Sequence, residues 1–414
     1  MNIPFSPPDI RQEDIDEVVK ALKSGWITTG PRTKLFEDQL SNYCHTNRTA
    51  CLSSATTALE LTLRILGIGP GDEVITSAYT YTASASVIEH VGATLILVDT
   101  DPGSFHISPT KIAEAITEKT KAVIPVDIGG VMCDYDEIFE ILETKKHCFH
   151  PKNKIQEAIG RIMVIADGAH SLGARYQGKM SGEVADFTAF SFHAVKNLTT
   201  AEGGAVTWKA INGIGDGDLY HQYMLWSLHG QSKDALAKNQ KGAWEYDVVY
   251  PGYKCNMTDM QAALGIAQLA RYDETIARRK EIIEKYNQAF GKLSVEMMDH
   301  DSEDKHSSGH LYLMRLKNKE VKERNAIIIK LAEQGIATNV HYKPLPMHTA
   351  YKKMGFSIKD YPEAYHMYEN EITLPLHTCL TDNEVDYIID QVKRLLEKKV
   401  KKCSIKNMEK ELAI

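Results

Sequence analysis

Ser191-Phe192-His193-Ala194-Val195-Lys196-Asn197-Leu198-Thr199-Thr200-Ala201-Glu202-Gly203-Gly204 decides how this chain is read, together with Ile162-Met163-Val164-Ile165-Ala166-Asp167 upstream of it. Lysines belong on surfaces, where the ammonium stays hydrated. The neighbours of Lys196 are instead apolar, small or hydroxylic, so its amine is set to lose water and part of its basicity. Residues 187–192 form an apolar run that stops shortly before the lysine, and Asp167 closes a second such run. The separation of 29 positions from Asp167 to Lys196 leaves room for a crossover between neighbouring strands.

Working outward, short apolar strands alternate with helical segments from about residue 50 to 210. Ser53-Ser54 before Ala58, Leu59, Thr62, Ile65 and Leu66 predicts a capped helix with one buried stripe. Strands are expected at 73–76, 95–98, 122–126 and 162–166, and helices at 82–90 and 109–116. All-apolar strands separated by helices indicate a parallel sheet covered on both faces, with ligands outside the carboxyl ends of its strands. An aspartate and a lysine meeting at such ends suit pyridoxal 5′-phosphate (PLP). The amine forms a Schiff base, and the carboxylate keeps the pyridine nitrogen protonated so that the ring acts as an electron sink.

Past residue 250 the pattern changes to long amphipathic helices at 257–272 and 276–290. A strand at 311–316, a helix at 324–334, a strand at 337–340 and a helix at 383–398 follow. This predicts a large α/β unit over residues 1–255 and a smaller α+β unit over 256–414. The polar stretch 143–156 reads as an insert ahead of strand 162–166.

Whole-chain properties narrow the function. A chain of 414 residues exceeds one ordinary core, so two domains are expected. A formal net charge of −7 argues against a nucleic-acid partner. No apolar stretch reaches the roughly 20 residues of a membrane span, and the first residues lack the charged and apolar regions of a signal peptide. The seven cysteines are scattered and include no CxxC pair, which argues against structural zinc or a disulfide framework and for a cytoplasmic setting. No metal site is expected.

Other positions carry chemistry more weakly. Ala55 and Thr56, with Ser54 and Thr57, open a helix where free N–H groups and the dipole favour a phosphate, although the same pattern makes an ordinary N-cap. Ser191 is a natural further phosphate donor. Tyr81 starts a helix and is either core or a stacking partner for a flat ring. His170 follows Asp167 by three residues and reads as structural or as a neighbour of the same ring. Lys254 and Asn256 lie just ahead of a helix, as a surface cation and a cap or as an arm toward a phosphate. His341-Tyr342-Lys343-Pro344 leaves a strand end with three polar groups, as cleft-lining segments do.

Taken together these segments resemble the DegT/DnrJ/EryC1/StrS family of PLP-dependent nucleotide-sugar aminotransferases, from Pro4 to about Leu396. The lysine segment matches the family's almost residue for residue, and Asp167-Gly168-Ala169-His170 matches its Asp-x-Ala-His/Gln segment. Gly71-Asp72-Glu73-Val74-Ile75 and Gly92-Ala93 with Val98-Asp99 match its first α/β unit. The resemblance implies a fold-type I, aspartate-aminotransferase-like enzyme with a mainly parallel, seven-stranded-type sheet, working as a homodimer with shared active sites. Lys196 is then the catalytic amine and acid/base, Asp167 the partner of the pyridinium nitrogen, and Tyr81 the stacking ring. Ala55, Thr56 and Ser191 hold the phosphate, His170 lies near the ring oxygen, and Lys254 or Asn256 reaches the partner subunit's phosphate.

In motif the chain is most similar to the pseudaminic-acid-pathway transaminases. That similarity implies that segment 1–30 contributes to the substrate site, with Phe5, Gly25, Trp26, Ile27, Thr28, Lys254, His341, Tyr342, Lys343 and Pro344 around a nucleotide-linked keto sugar. The implied reaction moves an amino group, from L-glutamate, to C4 of a nucleotide-linked deoxy sugar used in surface polysaccharide or glycan synthesis. Alternatives are a sugar dehydratase of the same family, which carries histidine at the lysine position, a PLP-binding regulatory protein, and a fold-type I reaction on amino acids.

Overall fold

A computed structural model describes residues 1–233, 236 and 244–411, with side chains described as far as Glu397. Its centre is a seven-stranded sheet of β1 (Thr49–Leu52), β2 (Glu73–Ser77), β3 (Thr94–Val98), β4 (Thr120–Ile124), β5 (Met163–Asp167), β8 (Phe187–Ser191) and β9 (Gly204–Trp208). The short strands β6 (Arg175–Tyr176) and β7 (Lys179–Met180) intervene in the chain. The order is β1-β9-β8-β5-β4-β2-β3, and only β9 runs against the rest. Strands β4, β5 and β9 are buried along their full length, which is why residues 122–124 and 163–166 are apolar without alternation. Crossover helices such as Ala55–Ile65 and Ala83–His90 cover the faces.

All but one of the expected elements are present, and their ends follow local chemistry. β4 stops at Ile124 because Pro125 has no N–H for the ladder, although its carbonyl still accepts from Asp167 N–H at 2.8 Å. Asp167 and Ala189 are register partners on the parallel pair β5–β8, so the aspartate and the lysine loop leave the sheet side by side.

A second apolar core gathers Ile282, Tyr286 and Phe290 of the helix Tyr272–Phe290, the sheet of β10 (Val295–Met297), β12 (Tyr312–Leu316) and β13 (Glu371–Leu374), and Val385 and Ile388 of the terminal helix Asp382–Glu411. Strand β11 (Lys305–His306) leaves this unit to pair with β6. Ile3, fully buried, joins the same core, so the chain's first residues are anchored in the second unit. The helix Asp259–Ala270 packs instead on Gln12–Lys23 and Pro31–Tyr43.

One expected strand does not form. Residues 337–340 divide their hydrogen bonds between two partners, with Ala337 N–H donating to Ile3 and only Asn339 pairing with Thr373. The polar stretch 143–156 is built into the fold. It holds the end of the helix Tyr135–Thr144 and the start of Lys154–Ile159, and it packs at the amino ends of the strands. There Lys121 Nζ donates to the His150 carbonyl at 2.6 Å and Lys152 pairs with Asp72 at 2.6 Å.

Candidate active site

At the opposite, carboxyl ends of the strands lies a cavity of about 430 Å³. Lys196, Asp167, His170, Tyr81, Ala55, Thr56, Ser191, Phe5, His341 and Tyr342 all line it. The lysine loop is a closed excursion of the β8–β9 hairpin. Phe192 N–H donates to Gly203, Thr200 N–H returns to Phe192, and Lys196 N–H donates to His193, the last at 2.9 Å. Thr199 Oγ1 also donates to the Phe192 carbonyl at 3.2 Å. The hydroxyls of the motif therefore hold the loop's shape and leave the lysine to the cavity.

Burial draws the Lys196 amine down to about 8, partly countered by the charge of Asp167. Asp167 is nearly fully buried, and that burial raises its carboxyl. Opposing the rise, Ser84 Oγ donates to Oδ2 at 2.7 Å and Ala169 N–H to Oδ1 at 3.2 Å, and the Lys196 charge acts in the same direction. This carboxylate is prepared for a cationic N–H partner.

His170 is neutral, held well below the ordinary histidine range by burial first and by the Lys196 charge second. Gly129 N–H donates to its Nδ1 at 3.3 Å, so Nε2 carries the proton and meets the Tyr342 hydroxyl at 3.1 Å. Tyr81 keeps 60% of its surface exposed although it forms part of the wall, so a broad aromatic face remains open to a planar ring.

At one end of the cavity the helix Ala55–Ile65 begins. Ser54 caps it by accepting from Thr57 N–H at 3.1 Å, while the N–H groups of Ala55 and Thr56 have no protein acceptor among the described residues. Gly204 lets β9 lie flush against this turn, since a Cβ there would stand 2.3 Å from Ser54 C and 2.4 Å from Ala55 N. Ser191 lines the same end. Two free N–H groups, a hydroxyl and a helix dipole suit a phosphate dianion. With an amine of lowered basicity, a buried carboxylate and an open aromatic face, these residues fit pyridoxal phosphate.

The other anticipated residues stand apart from the cavity in the single chain. Lys254 is exposed and donates to Asn256 Oδ1, and Asn256 Nδ2 donates to Thr29 Oγ1. Gly25, Trp26, Ile27 and Thr28 form a surface turn in which Trp26 Nε1 donates to the Thr29 carbonyl at 3.1 Å. Lys343 and Pro344 continue past the wall formed by His341 and Tyr342. His310 in the cavity wall, and Ser84 and Asn197 behind it, are residues that the sequence did not point to. Ser84 braces Asp167, and His310 stands with its ring 4.3 Å from that of His170. Asn197 Nδ2 donates to the Ser308 carbonyl at 2.8 Å and its Oδ1 accepts from His310 Nδ1 at 2.9 Å, which ties the lysine loop to the second unit. The one available signal was Asn197, a polar residue next to the lysine.

Residues 8–393 match the family model of the DegT/DnrJ/EryC1/StrS aminotransferase family. The chain belongs to this family. It is 37% identical over 399 residues to the spore coat polysaccharide biosynthesis protein SpsC of Bacillus subtilis, covering 95% of this chain and 97% of that one. Spr1654 of Streptococcus pneumoniae, described as a sugar aminotransferase, has in its PLP-form a TM-score of 0.93 and 54% identity, covering 96% of this chain and 99% of that one. PseC of Helicobacter pylori, an aminotransferase involved in the biosynthesis of pseudoaminic acid, has a TM-score of 0.82 at 28% identity, covering 96% of this chain and 100% of the other. The fold is therefore that of the sugar aminotransferases, and the chain is an aminotransferase whose cofactor is pyridoxal phosphate. Among the described residues, no helix is long and apolar enough to cross a membrane.

Proposed function

We propose that this aminotransferase moves an amino group from L-glutamate to a keto carbon, C4, of a nucleotide-linked deoxy sugar, in the service of surface polysaccharide or glycan synthesis. The observation that carries this reading is the pairing of a low-basicity Lys196 with a buried, braced Asp167 beside an open helix N-terminus. Pyridoxal phosphate supplies the electron sink that makes a C–H bond next to nitrogen acidic. Lys196 Nζ takes and returns the proton on one face, and an amine near 8 does both at ordinary pH. Asp167 holds the proton of the ring nitrogen, while Tyr81 and His170 fix the plane in which the substrate is presented. Spr1654 is known in both PLP- and PMP-forms, and SpsC is named for polysaccharide biosynthesis, which supports the two-stage cycle and the sugar class.

The homodimer is part of the same proposal. Trp244, Val248, Val249 and Tyr253 are exposed apolar residues ahead of Lys254, and Ile15, Val19 and Leu22 make an exposed stripe on the helix Gln12–Lys23. Such surfaces call for a covering partner. A second copy seated there brings Lys254 or Asn256 to the partner's phosphate and the turn 25–28 to its sugar-nucleotide site, with Lys343 and Pro344 at the same entrance. The division into units 1–255 and 256–414 is also proposed, supported by the separate apolar core of the second unit. So is a cytoplasmic setting, which the six free cysteines among the described side chains support.

The test is incubation with glutamate and UDP-, GDP- and dTDP-keto sugars. We expect 2-oxoglutarate with at least one of them, and its absence with the whole panel overturns the assignment.

A further inference from the structure

Behind His341 three groups form a continuous hydrogen-bond chain. Glu371 and Thr373, both fully buried, stand two residues apart on β13 and so share one face of the strand. Thr373 Oγ1 lies 2.6 Å from Glu371 Oε1 and 2.9 Å from His341 Nδ1, and Glu371 Oε2 accepts from the His341 backbone N–H at 2.9 Å. An ionised carboxylate can only accept, which commits the threonine proton to Glu371. The threonine oxygen then accepts from His341, so the ring proton sits on Nδ1. The other nitrogen, Nε2, has no protein partner among the described residues and opens to the cavity that His341 lines. Protonation of the imidazole is not an alternative, because burial and the Lys196 charge hold it near 3. What this ring offers a substrate is therefore decided by its tautomer.

We propose that Glu371 in its ionised form, acting through Thr373, is a positioning residue that holds His341 in the Nδ1–H form, so that Nε2 accepts a hydrogen bond from a hydroxyl or ammonium donor on the bound substrate. The identity of that donor as a sugar hydroxyl rests on the aminotransferase reading of the cavity, whereas the tautomer does not. A protonated Glu371 reverses the chain: its O–H donates to Thr373, the threonine donates to Nδ1, and Nε2–H becomes a donor. Burial pushes the Glu371 carboxyl up to about 8, against its hydrogen bonds from Thr373 and His341 and the charge of Arg324. Both arrangements are thus within ordinary pH. The groups facing this relay are Arg324 from the helix Val321–Glu333, Tyr79 after β2, whose hydroxyl donates to the His341 carbonyl at 2.7 Å, Tyr342 beside it, and Lys196, His170 and His310 across the cavity.

Glu371→Gln tests the chain at nearly constant shape. Its amide carbonyl still accepts from the His341 N–H, but its NH₂ donates to Thr373 and forces Nε2–H. With histidine-labelled protein carrying pyridoxal phosphate and no substrate, nitrogen NMR at pH 9 is expected to show a protonated Nδ1 in the wild type and a protonated Nε2 in the variant. The same tautomer in both overturns the proposal. With a keto sugar accepted by the wild type, KM at pH 9 is expected to rise about tenfold in Glu371→Gln and in Thr373→Val with kcat nearly unchanged, and to return in Thr373→Ser. A merely structural role would lower kcat and thermal stability together with any rise in KM, and without this rescue. If the wild type accepts no keto sugar, the substrate assignment fails while the NMR result still decides the tautomer.

Discussion

The two halves of the cavity are built differently. The cofactor half comes from one stretch of chain, residues 54–204, and every member sits at a strand's carboxyl end or in the turn that follows. The half proposed for the substrate is drawn from the first residues, from His310 and from His341-Tyr342, all of them outside that stretch. Topology alone brings Asp167 beside the lysine loop, through the β5–β8 pairing. Nothing comparable brings Phe5 onto His341, where the rings stack at 5.6 Å; that contact depends on Ile3 being held by Gly335 and Ile336. A site of this form can keep its cofactor chemistry while its substrate half changes.

The strongest way to break the comparison is Lys196→Ala. We expect loss of 2-oxoglutarate formation on the order of 10⁴-fold or more, with the fold retained, since a half-desolvated ammonium is removed and not a packing group. The sign of the pH effect follows from the same burial. An amine whose folded value is lowered from 10.5 to about 8 binds fewer protons folded than unfolded between those values. The cost of burying its charge is therefore complete below 8 and is relieved as pH rises toward 10.5. Capture of pyridoxal phosphate by the free protein, fixed with borohydride, should rise with pH to a half-maximum near 8, whereas a surface lysine would need more than two further pH units.

Gly204→Ala probes the cofactor half through its backbone. The new methyl meets Ser54 and Ala55 main-chain atoms that are not free to move, so the helix start must shift away from β9. The expected result is at least a roughly 30-fold weaker hold on pyridoxal phosphate, about 2 kcal/mol, measured by titration of the cofactor's absorbance. An unchanged affinity would mean that the N–H groups of Ala55 and Thr56 do not hold the phosphate.

How much of this was legible in the sequence follows the same division. The parallel sheet, the lysine loop, Asp167 and the capped helix at Ser54 were readable because short-range pattern and strand order determine them. Tyr81 and His170 were readable only as candidates, since an aromatic at a helix start and a histidine after a turn are common in ordinary cores. Ser84 and His310 were not legible and Asn197 only as a polar neighbour of the lysine, because each acts through a partner 83 or more residues away. The strand expected at 337–340 failed for a related reason, because the amino-terminal segment competes for its hydrogen bonds.

A smaller effect sharpens the cofactor half from within. Ser84→Ala removes one hydrogen bond from the buried Asp167, raising its carboxyl further and weakening its hold on the ring nitrogen's proton. We expect kcat to fall about fivefold, near 1 kcal/mol, and the acid side of the pH profile to move upward. KM for the keto sugar should stay as it was, because Ser84 touches only the cofactor half.

The smallest effect on activity belongs to the far side of the sheet. Gln156 is fully buried at the amino ends of the strands, with its Nε2 donating to the Leu66 carbonyl at 2.7 Å and its Oε1 accepting from Lys152 N–H at 2.9 Å. Asn153 Nδ2 donates to the same carbonyl at 2.9 Å, so that acceptor stays paired when the glutamine is lost. Gln156→Ala therefore leaves a small cavity and one unpaired N–H, a destabilisation of about 1–2 kcal/mol in denaturant titration. Since stretch 143–156 lies across the sheet from Lys196, kcat and KM should each change by less than about twofold. A kinetic effect larger than that would mean that strands β4 and β5 carry a disturbance from their amino ends to Asp167, and the site would then depend on the whole length of the sheet.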